Sequence, residues 1–218
     1  KPHEAKTALL EGVVARVRDT VDEGDADDGE RFVRSYYANV APEDLIDRSE
    51  HDLAGAALAH WGLARVRRPG ELKVHVYTPS LEEHGWESPH TVVETVVDDM
   101  PFLVDSVSME VSRHGRAIHL VVRPIMQMRR DEDGRLLAVD AGDGSNESLI
   151  HLELDRLSDA KATEELRADL HRVLGDVRAA VEDWRAMRQR TKDILAELAS
   201  NPPPVDAAEL AEARAFLE

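Results

Sequence analysis

The chain has 218 residues, enough at roughly 150 residues per domain for one large domain, or a smaller one with an appendage, and for a buried core. Lys and Arg number 27 against 44 Asp and Glu, a balance of −17 that argues against a protein whose work is holding nucleic acid or an anionic membrane. A hydrophobic content of 42% with 33% charged residues and no long uncharged run excludes a disordered or membrane-spanning chain, and the lack of Cys excludes disulfides and thiolate chemistry and fits a reducing cytoplasm.

Lys1 to Ala5 has neither a basic nor an apolar signal region, so no signal peptide is read there. Leu10, Val13, Val17 and Val21 recur at the spacing of one helix face, and Glu23 to Gly29 then reads as a solvated acidic loop. Phe32, Val33, Tyr36 and Tyr37 form a second apolar stripe. Pro42 suits the start of a short helix, and Ser49 with Asp52 resembles a capping box opening a helix that carries Leu53, Ala57 and Trp61. These helices end near Arg68-Pro69-Gly70.

From Leu72 the apolar period becomes two. Leu72 to Thr78 and Thr91 to Val97 read as strands, and Leu103, Val107 and Val111 mark a helix closed by Gly115. Ile118 begins a third strand able to continue through Met128, with Pro124 implying an edge or a bulge. Asp131 to Gly134 is a hairpin turn into Leu136 to Val139. After the Gly-rich loop Ala141 to Asn146, Ile150 to Leu154 is the fifth strand. His75, His119 and His151 then fall on polar strand faces, exposed or half-buried.

Leu166, Leu170, Val173, Val177, Ala180, Trp184, Met187, Thr191, Ile194 and Leu198 step alternately by four and three, the seam of a helix packing lengthwise on another. Unbroken from Ala160 to Ala199 it would be roughly 60 Å long, more than a small sheet covers; Gly175 leaves open a bend into two helices. Packing within the chain and an intersubunit coiled coil both remain open. Asn201 to Pro204 is a stiff spacer before a helix-prone end, so the chain reads as cut from something longer.

No metal-ligand spacing, nucleophile elbow, dinucleotide fingerprint or Walker-type loop occurs, so no catalytic, cofactor or metal residues are assigned. The segment that stands out is Val96 to Ser106, a strand entering a helix through Pro101. Asp98 or Asp99 could cap that helix, and its first turn could instead meet a ligand.

The order of strand, Asp99-Met100-Pro101-Phe102-Leu103 turn, helix, Gly115 and Ile118 strand resembles the opening half of an ACT domain, the ferredoxin-like amino-acid-sensing module. That family usually has Gly where this chain has Phe102; the resemblance implies that Phe102 fills the space of an approaching effector and packs. His90 to Val107, with Arg68-Pro69-Gly70, Val76-Tyr77-Thr78-Pro79, Glu83-His84-Gly85-Trp86, Asp44-Leu45 and His60-Trp61, resembles the N-terminal region of the large bacterial NAD-specific glutamate dehydrogenases. The expectation is an α+β chain. Residues 1–70 form a helical subdomain; 71–200 form an ACT-like, permuted antiparallel sheet with a long C-terminal helix, its Leu72 to Thr78 strand at the edge; 201–218 are a linker and the start of a further domain. The resemblance implies a parent enzyme that uses NAD to deaminate glutamate oxidatively to 2-oxoglutarate and ammonia, with no catalysis, cofactor or metal in this segment. Its partners would be downstream domains of the same polypeptide, sister subunits of a homo-oligomer, and an amino-acid effector. The effector or interface turn would be Asp98, Asp99, Met100, Phe102, Leu103, Asp105 and Ser106, and the helix interface Val177, Trp184, Met187 and Ile194.

Overall fold

The computed structural model describes residues 2–140 and 142–217; Lys1, Ala141 at the head of the Gly-rich loop, and Glu218 lie outside it. The apolar stripes of the first third form α1 (Pro2–Thr20), α2 (Ala26–Tyr37) and α3 (Glu50–Ala64). Ser49 caps α3, its Oγ accepting the Asp52 N–H at 3.0 Å, and Pro42 opens a 3₁₀ turn over Pro42–Asp44. The acidic stretch is a correction: Asp27 and Asp28 belong to the first turn of α2, where the free N–H groups favour carboxylates. Gly29 is buried in that helix because a Cβ there would lie 3.0 Å from Val17 and 3.2 Å from Trp61; the missing side chain lets three helices meet.

Six strands follow: β1 (Lys73–Tyr77), β2 (Thr91–Asp98), β3 (Ile118–Val122), β4 (Ile125–Arg130), β5 (Leu136–Val139) and β6 (Ser145–Leu154). All pairings are antiparallel, in the order β1-β2-β6-β4-β5, with β3 also on β6. The first strand thus occupies the sheet edge. The expected long third strand is interrupted at Arg123-Pro124, giving β3 and β4 in tandem along β6; the Pro124 carbonyl keeps the ladder going by accepting the Leu149 N–H at 3.0 Å. Gly134, at φ 82°, makes the β4–β5 turn, and its carbonyl accepts the Arg67 N–H at 2.8 Å. A short helix α4 (Leu81–His84) joins β1 to β2, and α5 (Leu103–Arg113) joins β2 to β3.

β2 is buried along nearly its whole length, on both faces, so the sheet is a middle layer. On one face Val96, Leu120, Val122, Met126, Met128, Val139 and Leu149 share a core with α1, α2 and α3. On the other, Val93, Val97, Ile150, Leu152 and Leu154 are buried, as are Leu103, Val107 and Val111 of α5 and Leu166, Leu170 and Leu174 at the start of the last long helix. Arg113 on α5 bridges Glu110 and Asp169, tying those two helices together.

By contacts the chain divides into Lys1–Gly175 and Asp176–Glu218. The helix α6 is assigned from Ala160 to Ser200 with Gly175 inside it, one helix in place of the two that this glycine left open. Burial also departs from the expected seam: Val173 is only half-buried, whereas Leu174, off the seam, is fully buried. In the second unit Val177 is 9% exposed, Ile194 half-buried, and Trp184 and Met187 are 59% and 64% exposed. The Arg188 guanidinium lies 5.9 Å from the Trp184 ring centre. The Pro-rich spacer is non-helical and α7 covers Ala207–Leu217. Among the described residues no helix is long and apolar enough to cross a membrane.

Candidate functional site

The Asp98–Ser106 turn differs from its expected geometry in two respects. The Asp98 carboxylate receives the Arg67 guanidinium at 2.5 Å, and the N-cap of α5 is Phe102, whose side chain makes no capping bond. Phe102 has φ 72°, the left-handed conformation in which Gly is the least strained residue, and it is 67% exposed. The expectation that its ring fills the turn is therefore corrected: the conformation the turn demands is kept, and the ring is carried outward into solvent. Beside it is a hollow of about 480 Å³ lined by Asp99, Phe102, Asp105, Arg123, Ile125 and Ser148. Met100 borders the same hollow; Leu103 also touches it but is buried, and the Ser106 N–H donates to the Phe102 carbonyl at 3.0 Å.

A second, larger concentration of chemistry lies between α3 and the sheet. Strand register places His75, Glu94 and His151 directly across β1, β2 and β6, and His60 reaches down from α3. Glu94, His151 and His60 are all at most 1% exposed. Glu94 Oε1 accepts the Tyr77 hydroxyl at 3.1 Å and lies 3.5 Å from His151 Nδ1; its Oε2 is 3.8 Å from His75 Nδ1. On the far side, His151 Nε2 is 3.8 Å from Glu153, which Arg48 grips through both guanidinium nitrogens at 2.5 and 3.0 Å. The charges alternate along the chain Glu94, His151, Glu153, Arg48.

This alternation sets the ionisation. Burial pushes the Glu94 carboxyl up, but the facing His151 and His75 imidazoles outweigh it and hold it at about 2. Glu153 is also held at about 2, burial being overcome by His151 and Arg48. Burial lowers His151, yet Glu153 and Glu94 bring it above its ordinary value. His60 goes the other way, burial taking it down to about 4 against the pull of Glu94, so it is a neutral imidazole. Its Nε2 lies 3.0 Å from the Thr95 carbonyl, which can only accept; Nε2 therefore carries the proton, and Nδ1 accepts the Tyr36 hydroxyl at 2.9 Å.

His151 and Glu153 also line a pocket of about 450 Å³, with Arg48, Asp52, Trp86 and His90 around it. A further ion cluster sits toward the β4–β5 hairpin: Glu147, fully buried, receives Arg130 at 2.7 and 2.9 Å and Arg67 at 3.1 Å. Arg67 thereby links this cluster to the Asp98 carboxylate at the head of the turn.

The family described as "Glutamate dehydrogenase, ACT1 domain" matches residues 32–170, taking in the second half of α2, α3, the whole sheet and the start of α6. The chain belongs to that family. It is 38% identical over 99% of its length to an NAD-specific glutamate dehydrogenase of Halomonas elongata, and 36% identical over 86% to one of Pseudomonas aeruginosa. One of Mycobacterium tuberculosis is 26% identical over 82%. The chain spans only 14%, 12% and 11% of those polypeptides. It corresponds to an N-terminal region of the large glutamate dehydrogenases.

Within this ACT1 domain the turn residues Asp98 to Ser106 run from the end of β2 into the first turns of α5. The buried row does not follow from spacing, because His60, Glu94 and His151 come from three elements. The expectation of an exposed or half-buried His151 is corrected to a buried one, since helices cover both sheet faces. One signal was available: Glu94 interrupts the run Val92-Val93-Glu94-Thr95-Val96-Val97, and a carboxylate at the centre of a two-sided buried strand needs a cationic or donor partner.

Proposed function

We propose that this ACT1 region is a non-catalytic assembly module of a large NAD-dependent glutamate dehydrogenase, holding later domains or sister subunits in place while oxidative deamination of glutamate proceeds elsewhere on the polypeptide. The observation that carries this reading is the exposed half of α6: Trp184 and Met187, on the seam that includes the buried Val177, are more than half exposed. Two large apolar side chains on one face are an unusual cost for a surface with no partner, and the relatives have most of their length outside this region. In the intact polypeptide, Trp184→Glu with Met187→Glu is expected to shift the sedimentation coefficient toward smaller species while circular dichroism stays unchanged. An unaltered sedimentation profile would refute docking on sister subunits.

A second reading, an amino-acid sensor, is favoured by the uncapped N-terminus of α5. The first turn of α5 and Arg123 border the hollow beside Phe102, an arrangement suited to a carboxylate. Calorimetric titration of the chain with a panel of amino acids should then give saturable heat that Arg123→Ala weakens. Heat with none of them counts against sensing and leaves assembly standing.

A further inference from the structure

We propose that His60, Glu94 and His151 form a binding site for one divalent transition-metal ion of the zinc class, buried between α3 and the sheet. The ligand atoms of these three residues lie within 4.8 Å of one another. Two of the groups have a buried polar atom with no hydrogen-bond partner: Glu94 Oε2 and His151 Nδ1. A buried carboxylate oxygen and a buried ring nitrogen left this way are costly, and a shared cation satisfies both. The 3.5 Å between His151 Nδ1 and Glu94 Oε1 is long for a hydrogen bond, but close to the separation of about 3.4 Å between two ligands of a tetrahedral ion bound at about 2.1 Å.

The surroundings are those that orient metal ligands. His60 donates its Nε2–H to the Thr95 carbonyl, which leaves Nδ1 as the nitrogen with a lone pair; that lone pair accepts the Tyr36 hydroxyl, which an ion bound there would displace. His151 has the Glu153 carboxylate on its Nε2 side, and Glu153 is itself fixed by Arg48. Each imidazole thus has a backbone carbonyl or a carboxylate behind one ring nitrogen, the outer-shell pattern that sets tautomer and ring angle, and His151 turns its other nitrogen to Glu94. Tyr77 plays the same part for Glu94. Two imidazoles and one carboxylate select zinc-like ions over magnesium or calcium, which prefer oxygen. The pocket that His151 and Glu153 line provides the way in. The other acid and histidine group, Glu110, His114 and Asp169, differs: Arg113 already donates to both carboxylates.

The test is zinc binding by the full chain, stripped with a chelator, reloaded and dialysed. One zinc per chain should remain, with magnesium giving none. His60→Gln and His151→Gln should each weaken zinc about 100-fold or more, while His114→Gln, in the other cluster, changes nothing. If those variants fail to fold, X-ray absorption of the zinc-loaded unsubstituted chain decides: two imidazoles in the first shell support the site. No retained zinc, equal retention in the His60 and His151 variants, or a first shell of water oxygen alone overturns it.

Discussion

Replacing Glu147 by Gln is expected to lower the stability of the chain by about 3–5 kcal/mol, the cost of leaving a buried guanidinium without its counter-charge. Glu147 is fully buried, and Arg67 and Arg130 are 2% and 10% exposed at their side chains. Gln preserves the shape but offers no net charge to either cation. Among the described residues Arg67 keeps Asp98 and the Glu71 carbonyl, whereas Arg130 keeps the Gly134 carbonyl and a distant Met128 sulfur. Most of the loss therefore falls on Arg130, and Glu147→Gln combined with Arg130→Met should recover part of it by removing the stranded charge. Urea denaturation reads this as a lower midpoint at an unchanged m-value. A loss below about 1 kcal/mol would mean that water reaches the cluster and screens it.

Trp61→Ala is expected to cost a similar amount, about 3–5 kcal/mol, for a different reason. The indole is 3% exposed and stacks on Phe32 with ring centres 5.9 Å apart. It also packs so closely on α2 that only Gly29 fits opposite. Truncation leaves a cavity where α1, α2 and α3 meet, and Gly29 has no side chain with which to fill it. The indole Nε1 is buried without a hydrogen-bond partner, so Trp61→Phe keeps most of the stacking and sheds an unsatisfied donor. That variant should lose no more than about 1.5 kcal/mol. Equal losses for Ala and Phe in thermal or urea unfolding would contradict this account of the contact.

The layout of the fold is legible in the sequence because local periodicity reports which faces are covered. The two-residue period from Leu72 and the four-residue steps from Leu103 to Val111 appear as β1 and α5 at the expected places. Pro124 announced the interruption that separates β3 from β4. The Glu23 to Gly29 stretch misled because acid and Gly are loop signals, yet the same acids suit a helix start and the same Gly suits a crowded helix contact. Phe102 misled for a related reason: side-chain size says nothing of direction, and at φ 72° its bulk leaves the turn rather than filling it. The buried charges were the least legible. Arg48, His60, Arg67, Glu94, Glu147, His151 and Glu153 are brought together by strand register and by α3 lying over the sheet, neither of which leaves a spacing motif.

Docking of this module requires that the distal face of α6 be covered in the complete polypeptide. Hydrogen–deuterium exchange of peptides from 180–198, compared between this chain alone and the intact glutamate dehydrogenase, tests it most directly. Slower exchange in the intact polypeptide, centred on Trp184 and Met187, is the predicted result. Equal exchange in the two would contradict the claim.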